Sequence, residues 1–122
     1  MEFKKHQSIY LQIEDMICEH ILTKKWKEGE RIQSVRELAA SIEVNPNTVM
    51  RAYSKLQDTG IIQNKRGIGY FVSTGAPERI AGLQKEAFVV EELPAVFKKM
   101  KILGITLEEL GKLFKKYLSD SK

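Results

Sequence analysis

The side chains in this sequence that could do chemistry are mostly hydrogen-bond donors, gathered in three short stretches. Ser34 and Arg36 stand in Ser34-Val35-Arg36-Glu37; Asn45, Asn47, Thr48, Arg51 and Lys55 follow within residues 45–55; Lys65-Arg66-Gly67 is a compact basic triplet. Amides, hydroxyls and cations of this kind suit an anion such as phosphate, held by charge-assisted hydrogen bonds. They do not suit bond-breaking, which needs a nucleophile, a base and an orienting group around a pocket. The single thiol, Cys18, and the histidines His6 and His20 show no Cys-x-x-Cys or His-x-x-x-His spacing of the kind that holds a metal. Cys18, beside Ile17 and Ile21, reads as a small buried hydrophobe in a reducing compartment. His20 reads as the flank of a helix, and His6 as part of a mobile leader. The sequence therefore predicts no catalytic residue, no metal site and no cofactor.

These donors need a scaffold, and the apolar periodicity supplies one. Ile9, Ile13, Met16, Ile17 and Ile21 recur at helical steps between Ser8 and about Lys24, forming one amphipathic stripe. Ser34 to Glu37 is a capping box opening a second helix through Leu38, Ala39 and Ile42. Asn45-Pro46 then gives an N-cap and a proline at the first helical position. The third helix, to about Thr59, turns Val49, Ala52, Tyr53 and Leu56 inward, and Asn47, Met50, Arg51, Ser54, Lys55 and Asp58 outward. Gly60 stops it. Ile61–Asn64 and Tyr70–Ser73 read as two short strands of a hairpin turned at Lys65–Gly69. A boundary is expected at Thr74–Pro77, dividing a domain of residues 1–75 from a helical tail of residues 76–122.

The tail reads as a helix from Glu78 to Lys101, broken near Leu93 by Pro94, and a last helix opened by a second box, Thr106-Leu107-Glu108-Glu109. Ile80, Leu83, Phe97, Met100, Leu110, Leu113, Phe114 and Tyr117 lie on its apolar faces. Two short helices cannot bury such faces alone. A symmetric homodimer, or packing back on the chain's own domain, would cover them.

Composition narrows the partners. The 122 residues carry 20 Lys and Arg against 16 Asp and Glu, a net charge of +4. Residues 31–75 hold six of those cations and three acids, a local +3. The excess is compatible with nucleic acid without establishing it. No apolar run reaches the roughly 18 residues of a membrane span, and residues 1–6 are too polar for a secretory signal. A cytoplasmic protein with no membrane partner is expected.

Three helices and a hairpin in this order form the winged helix-turn-helix arrangement: mainly α, with a small β-hairpin. Its physics fits duplex DNA, with one helix in the major groove, the preceding helix bracing it and a basic hairpin tip on a neighbouring groove. At the residue level, Ser34–Ala39, Val44–Val49, Leu56–Ile61 and Gly67–Val72 resemble the GntR family of bacterial transcription regulators. The short tail resembles the YtrA-like subfamily, whose two-helix tail serves dimerisation.

The resemblance implies a homodimer that binds a near-palindromic double-stranded operator, repressing by occlusion in keeping with the family's tendency. Helix 46–59 would enter the major groove and wing 65–69 the neighbouring groove or backbone. It also implies that Arg36 contacts DNA, as the family places an arginine there, with Ser34 beside it. Asn45, Asn47 and Thr48 sit where a helix N-terminus favours phosphate. Arg51 and Lys55 continue a polar ridge, and Lys65, Arg66 and Gly67 form the wing tip. The chain departs from many members of the family, whose arginines in and after the turn fall here on Pro46 and Met50. A small-molecule effector, if there is one, would have to sit at the dimer seam or between domain and tail. The rival readings are a winged helix that binds protein rather than DNA, and an enzyme or small-molecule carrier.

Overall fold

The computed structural model describes residues 7–121, so His6 lies outside the described residues. Six α-helices and one hairpin follow in order: α1 Ile9–Leu22, α2 Val35–Ile42, α3 Pro46–Asp58, β1 Ile62–Lys65, β2 Gly69–Val72, α4 Ala76–Ala87, α5 Leu93–Leu103 and α6 Leu107–Asp120. They form two compact units, one up to Gly82 and one from Leu83 onward.

In the first unit the helix starts are those the side chains dictate. Ser34 Oγ accepts the Glu37 N–H at 3.1 Å while Glu37 Oε1 accepts the Ser34 N–H at 3.0 Å, closing the capping box of α2. Asn45 Oδ1 accepts the Asn47 N–H at 2.8 Å and Pro46 takes the first position of α3. Between the two helices Glu43 adopts a left-handed conformation, φ 57°, and the Val44 N–H returns to the Ala39 carbonyl at 3.0 Å. The turn is thereby only a few residues long and α3 packs against α2.

One core unites these elements. Ile13, Ile17 and Ile21 of α1 meet Leu38 and Ala39 of α2, Val49, Ala52, Tyr53 and Leu56 of α3, and Ile62 and Val72 of the hairpin. Each fully buried Ile or Leu contributes about 1.5–3 kcal/mol relative to exposure. Ile9, which the periodicity places on the same stripe, is exposed at the open end of α1.

The hairpin is antiparallel, pairing Ile62 with Val72 and Lys65 with Gly69. Each strand is shifted one residue from its expected position. The link Glu30–Ile32 runs along the other side of β2: the Ile32 N–H donates to the Tyr70 carbonyl at 2.9 Å, and the Val72 N–H to the Glu30 carbonyl at 3.0 Å. This fastening anchors the hairpin to the chain that leads into α2.

α4 begins inside the first unit, where Ala76 and Ile80 are buried in the core. Ile80 was expected on a dimer seam. That placement is corrected, because its side chain is part of the first unit's core and is 1% exposed.

In the second unit, the remainder of α4 passes through a π-helical turn, Phe88–Glu92, into α5. The expected break at Pro94 takes this form. Proline lacks an N–H and is tolerated only in the first turn of a helix, so α5 restarts at Leu93 with Pro94 in that turn. Gly104 closes α5, and Thr106 Oγ1 accepts the Glu109 N–H at 3.1 Å to open α6. No described residue of α5 or α6 is buried.

Candidate nucleic-acid interface

Arg36 is exposed in the first turn of α2, carried there by the capping box. Ser34 is half-buried and its hydroxyl already serves that box. The two hydrogen bonds from Ser34, the backbone one foremost, hold the Glu37 carboxyl below the usual carboxylate range. A carboxylate is thus fixed one residue from the arginine.

At the start of α3 the backbone donors are already committed. Asn47 N–H goes to the Asn45 side chain and Thr48 N–H to the Asn45 carbonyl at 3.0 Å. The expected free N–H groups are therefore satisfied within the turn, and Asn45 acts as a cap. The side chains of exposed Asn47 and half-buried Thr48, with the positive end of the helix, are what this end offers a ligand.

Along α3, the outward residues do not form one uniform ridge. The Arg51 guanidinium carbon lies 3.8 Å from the Tyr10 ring centroid, a cation–π contact that tethers it to α1. Lys55 lies on the same flank, and together with Arg51 favours the charged form of Glu14 of α1. Burial outweighs them and raises the Glu14 carboxyl, whose Oε2 is enclosed with no hydrogen-bond partner. The opposite flank carries Met50, 43% exposed, whose Sδ accepts the Tyr70 hydroxyl of β2 at 3.9 Å. Tyr53, expected in the core, is fully buried there, and its hydroxyl donates to the Gln33 carbonyl at 2.6 Å.

The wing tip is a turn in which the Ile68 N–H donates to the Lys65 carbonyl at 2.9 Å. Gly67 at its third position has φ +79°, the left-handed value that a type II turn reserves for glycine. Lys65 Nζ lies 4.4 Å from the Phe71 ring centroid, while Arg66 and Ile68 project into solvent. Arg31, which sequence reasoning passed over, lies beside β2, bridging Phe71 and reaching Gly69 next to the wing turn. A Cβ on Gly69 would lie 2.9 Å from Arg31 Nε, and Gly69 itself has φ +138°. The signal for Arg31 was its place in the extended link, whose pairing with β2 brings it under the hairpin.

Arg36, Asn47, Thr48, Met50, Lys65 and Arg66 thus belong to one unit with a shared core, and Arg31 adds a cation to it. Cys18 is half-buried, and burial, then Asp15 and Glu14, pushes its thiol up to about 11. The His20 ring packs against Trp26, with centroids 5.2 Å apart and the planes tilted by 58°. Among the described residues no group of three or more His, Cys, Asp or Glu could hold a metal ion, and no helix is long and apolar enough to cross a membrane.

Comparison with known proteins matches this architecture. The family model of bacterial regulatory proteins, gntR family, covers residues 9–72, from α1 through β2. The transcriptional regulator YhcF of Bacillus subtilis is 38% identical, over 89% of this chain and 88% of its own length. The transcriptional repressor YtrA of the same organism is 36% identical, over 93% of this chain and 87% of its own. The crystal structure of a GntR-family regulator from Bacteroides thetaiotaomicron superposes with a TM-score of 0.86 at 44% identity, covering 94% of this chain and all of that one. With its winged helix, its short helical tail and relatives of the YtrA and YhcF type over nearly its full length, the chain belongs to the GntR family of bacterial transcription regulators.

Proposed function

We propose that this regulator binds a near-palindromic operator as a homodimer and represses transcription by occluding the promoter. The observation that carries the reading is the set of donors at exposed Arg36 and Asn47, half-buried Thr48 and the wing tip, all on one closed unit. α3 enters the major groove, α2 braces it, and Lys65, Arg66 and Gly67 meet phosphate or the neighbouring groove. Arg51 and Lys55 contribute from the flank facing α1, and Ser34 and Asn45 act by holding the helix starts in place.

The homodimer reading rests on the second unit. Leu83, Phe97, Leu113, Phe114 and Tyr117 are exposed there, and Met100 and Leu110 half-buried. A second copy covers them, with the unit from Leu83 onward as the dimerising part and the unit up to Gly82 as the DNA-binding domain, so that the boundary expected at residue 75 moves past the start of α4. Two-fold symmetry then demands a two-fold operator. Repression is supported by the relative YtrA, which is a transcriptional repressor. A cytoplasmic location follows from a DNA target.

The test is binding of the purified protein to a fluorescent duplex from upstream of its own gene, beside a scrambled duplex, across a salt series. A preference of about 10³-fold or more is expected. Arg36→Ala should weaken binding to both duplexes and flatten the salt slope by about one. Failure to bind even at low salt refutes the reading and favours a protein-binding winged helix.

A further inference from the structure

Met50 is an unusual residue for its position. It occupies the outward surface of α3, one turn after Asn47 and one turn before Ser54, yet it is a large apolar side chain left 43% exposed. It is held in place. The Tyr70 hydroxyl donates to its Sδ at 3.9 Å; the Tyr70 ring meets Tyr53 edge to face, with centroids 4.8 Å apart at 84°; and the Tyr53 hydroxyl is anchored on the Gln33 carbonyl at 2.6 Å. A strut of two tyrosines therefore runs from the link before α2, through the core, to the thioether. Arg51, the neighbouring long side chain on α3, is turned to the other flank by its stacking on Tyr10.

Both α3 and the hairpin grip one duplex in the proposed mode of binding. The flank of α3 that touches β2 therefore faces the DNA. A thioether there carries no donor and is a weak acceptor, so hydrogen-bond readout is closed to it. On the major-groove edges of the four bases, the C5-methyl of thymine is the apolar group. A soft, unbranched side chain is suited to cover it.

We propose that Met50 reads the C5-methyl of one thymine in each operator half-site, with Tyr70 and Tyr53 as positioning residues. The inference rests on the DNA-binding reading above, and the experiment separates the two. A random-sequence duplex pool is selected on the full-length protein, which tests DNA recognition by itself. In the selected duplex each thymine is then replaced in turn by deoxyuridine, which removes only the methyl.

One position per half-site should cost the wild type about fourfold in Kd, the effect of burying a single methyl group. The same replacement should cost Met50→Ala nothing, while Met50→Leu, which keeps the apolar contact, should retain most of the penalty. Tyr70→Phe removes the strut's hydroxyl and should shrink the penalty while leaving the protein folded. If no deoxyuridine position affects the wild type, or if the penalty survives in Met50→Ala, the proposal is overturned. If the pool yields no selected sequence, the DNA-binding reading itself fails and this one with it.

Discussion

The two units of the chain use the same apolar vocabulary to opposite ends. In the first, Ile13, Ile17, Tyr53, Leu56 and Ile80 converge on one interior and are at most 2% exposed. In the second, α5 and α6 are capped, phased and amphipathic, yet bury no residue, and Phe97, Phe114 and Tyr117 stand more than half exposed. Local signals specify helices equally well in both. What separates them is whether a third and fourth element arrive to cover the stripe. The first unit is completed by α1, the hairpin and the start of α4, whereas the second awaits another surface.

The difference can be broken at its strongest point first. Ile17→Ala, in the middle of the first core, should cost about 2–5 kcal/mol in urea unfolding, by the same amount at every protein concentration. Phe114→Ala combined with Tyr117→Ala should instead produce a loss that depends on concentration. Ultracentrifugation should show the dimer dissociating at protein levels where the wild type stays assembled, while the near-ultraviolet signal of the first unit persists. A loss independent of concentration would mean that the tail's faces are not covered by a second copy.

The two helix caps sharpen the comparison. Ser34→Ala and Thr106→Ala remove equivalent side-chain acceptors from α2 and α6, each worth about 1 kcal/mol. The first should lower the melting temperature outright, and the second should act mainly through assembly. The last effect, absent at neutral pH, is expected at Cys18. Burial raises its thiol from 9.0 to about 11, so the folded chain keeps a proton that the unfolded chain releases. Stability should therefore be intact below pH 9 and fall as pH rises from about 9 through about 11, a decline that Cys18→Ala should lessen.

Which features were legible in the sequence follows from how local their causes are. The box at Ser34 and Glu37 and the Asn45-Pro46 start are decided within four residues, and each is found where the pattern put it. Both strands were displaced by one residue toward the turn, where Lys65 pairs with Gly69, while at the other end the Ile61 N–H bonds backward to the Leu56 carbonyl. Ile80 was assigned to a seam because the helical stripe runs on through Leu83, and periodicity cannot say which body a stripe faces. The outward side of α3 was readable, since Asn47, Met50, Arg51, Lys55 and Asp58 are exposed. The stacking of Arg51 on Tyr10 and the placement of Arg31 beside Gly69 were not, since both depend on pairs brought together only by packing.

The extended link beside the hairpin has a consequence for how the wing behaves in time. Two successive amides of this chain bond in opposite directions, Val72 to the Glu30 carbonyl and Ser73 to the Ile61 carbonyl, both at 3.0 Å. The first hydrogen should reach deuterated solvent when the link parts from β2, and the second when the two ends of the hairpin part. The Arg66 and Gly67 amides, in an exposed turn, have no such gate. The wing is thus slow at its root and quick at its tip, able to adjust to a backbone it meets without loosening the frame that aims it.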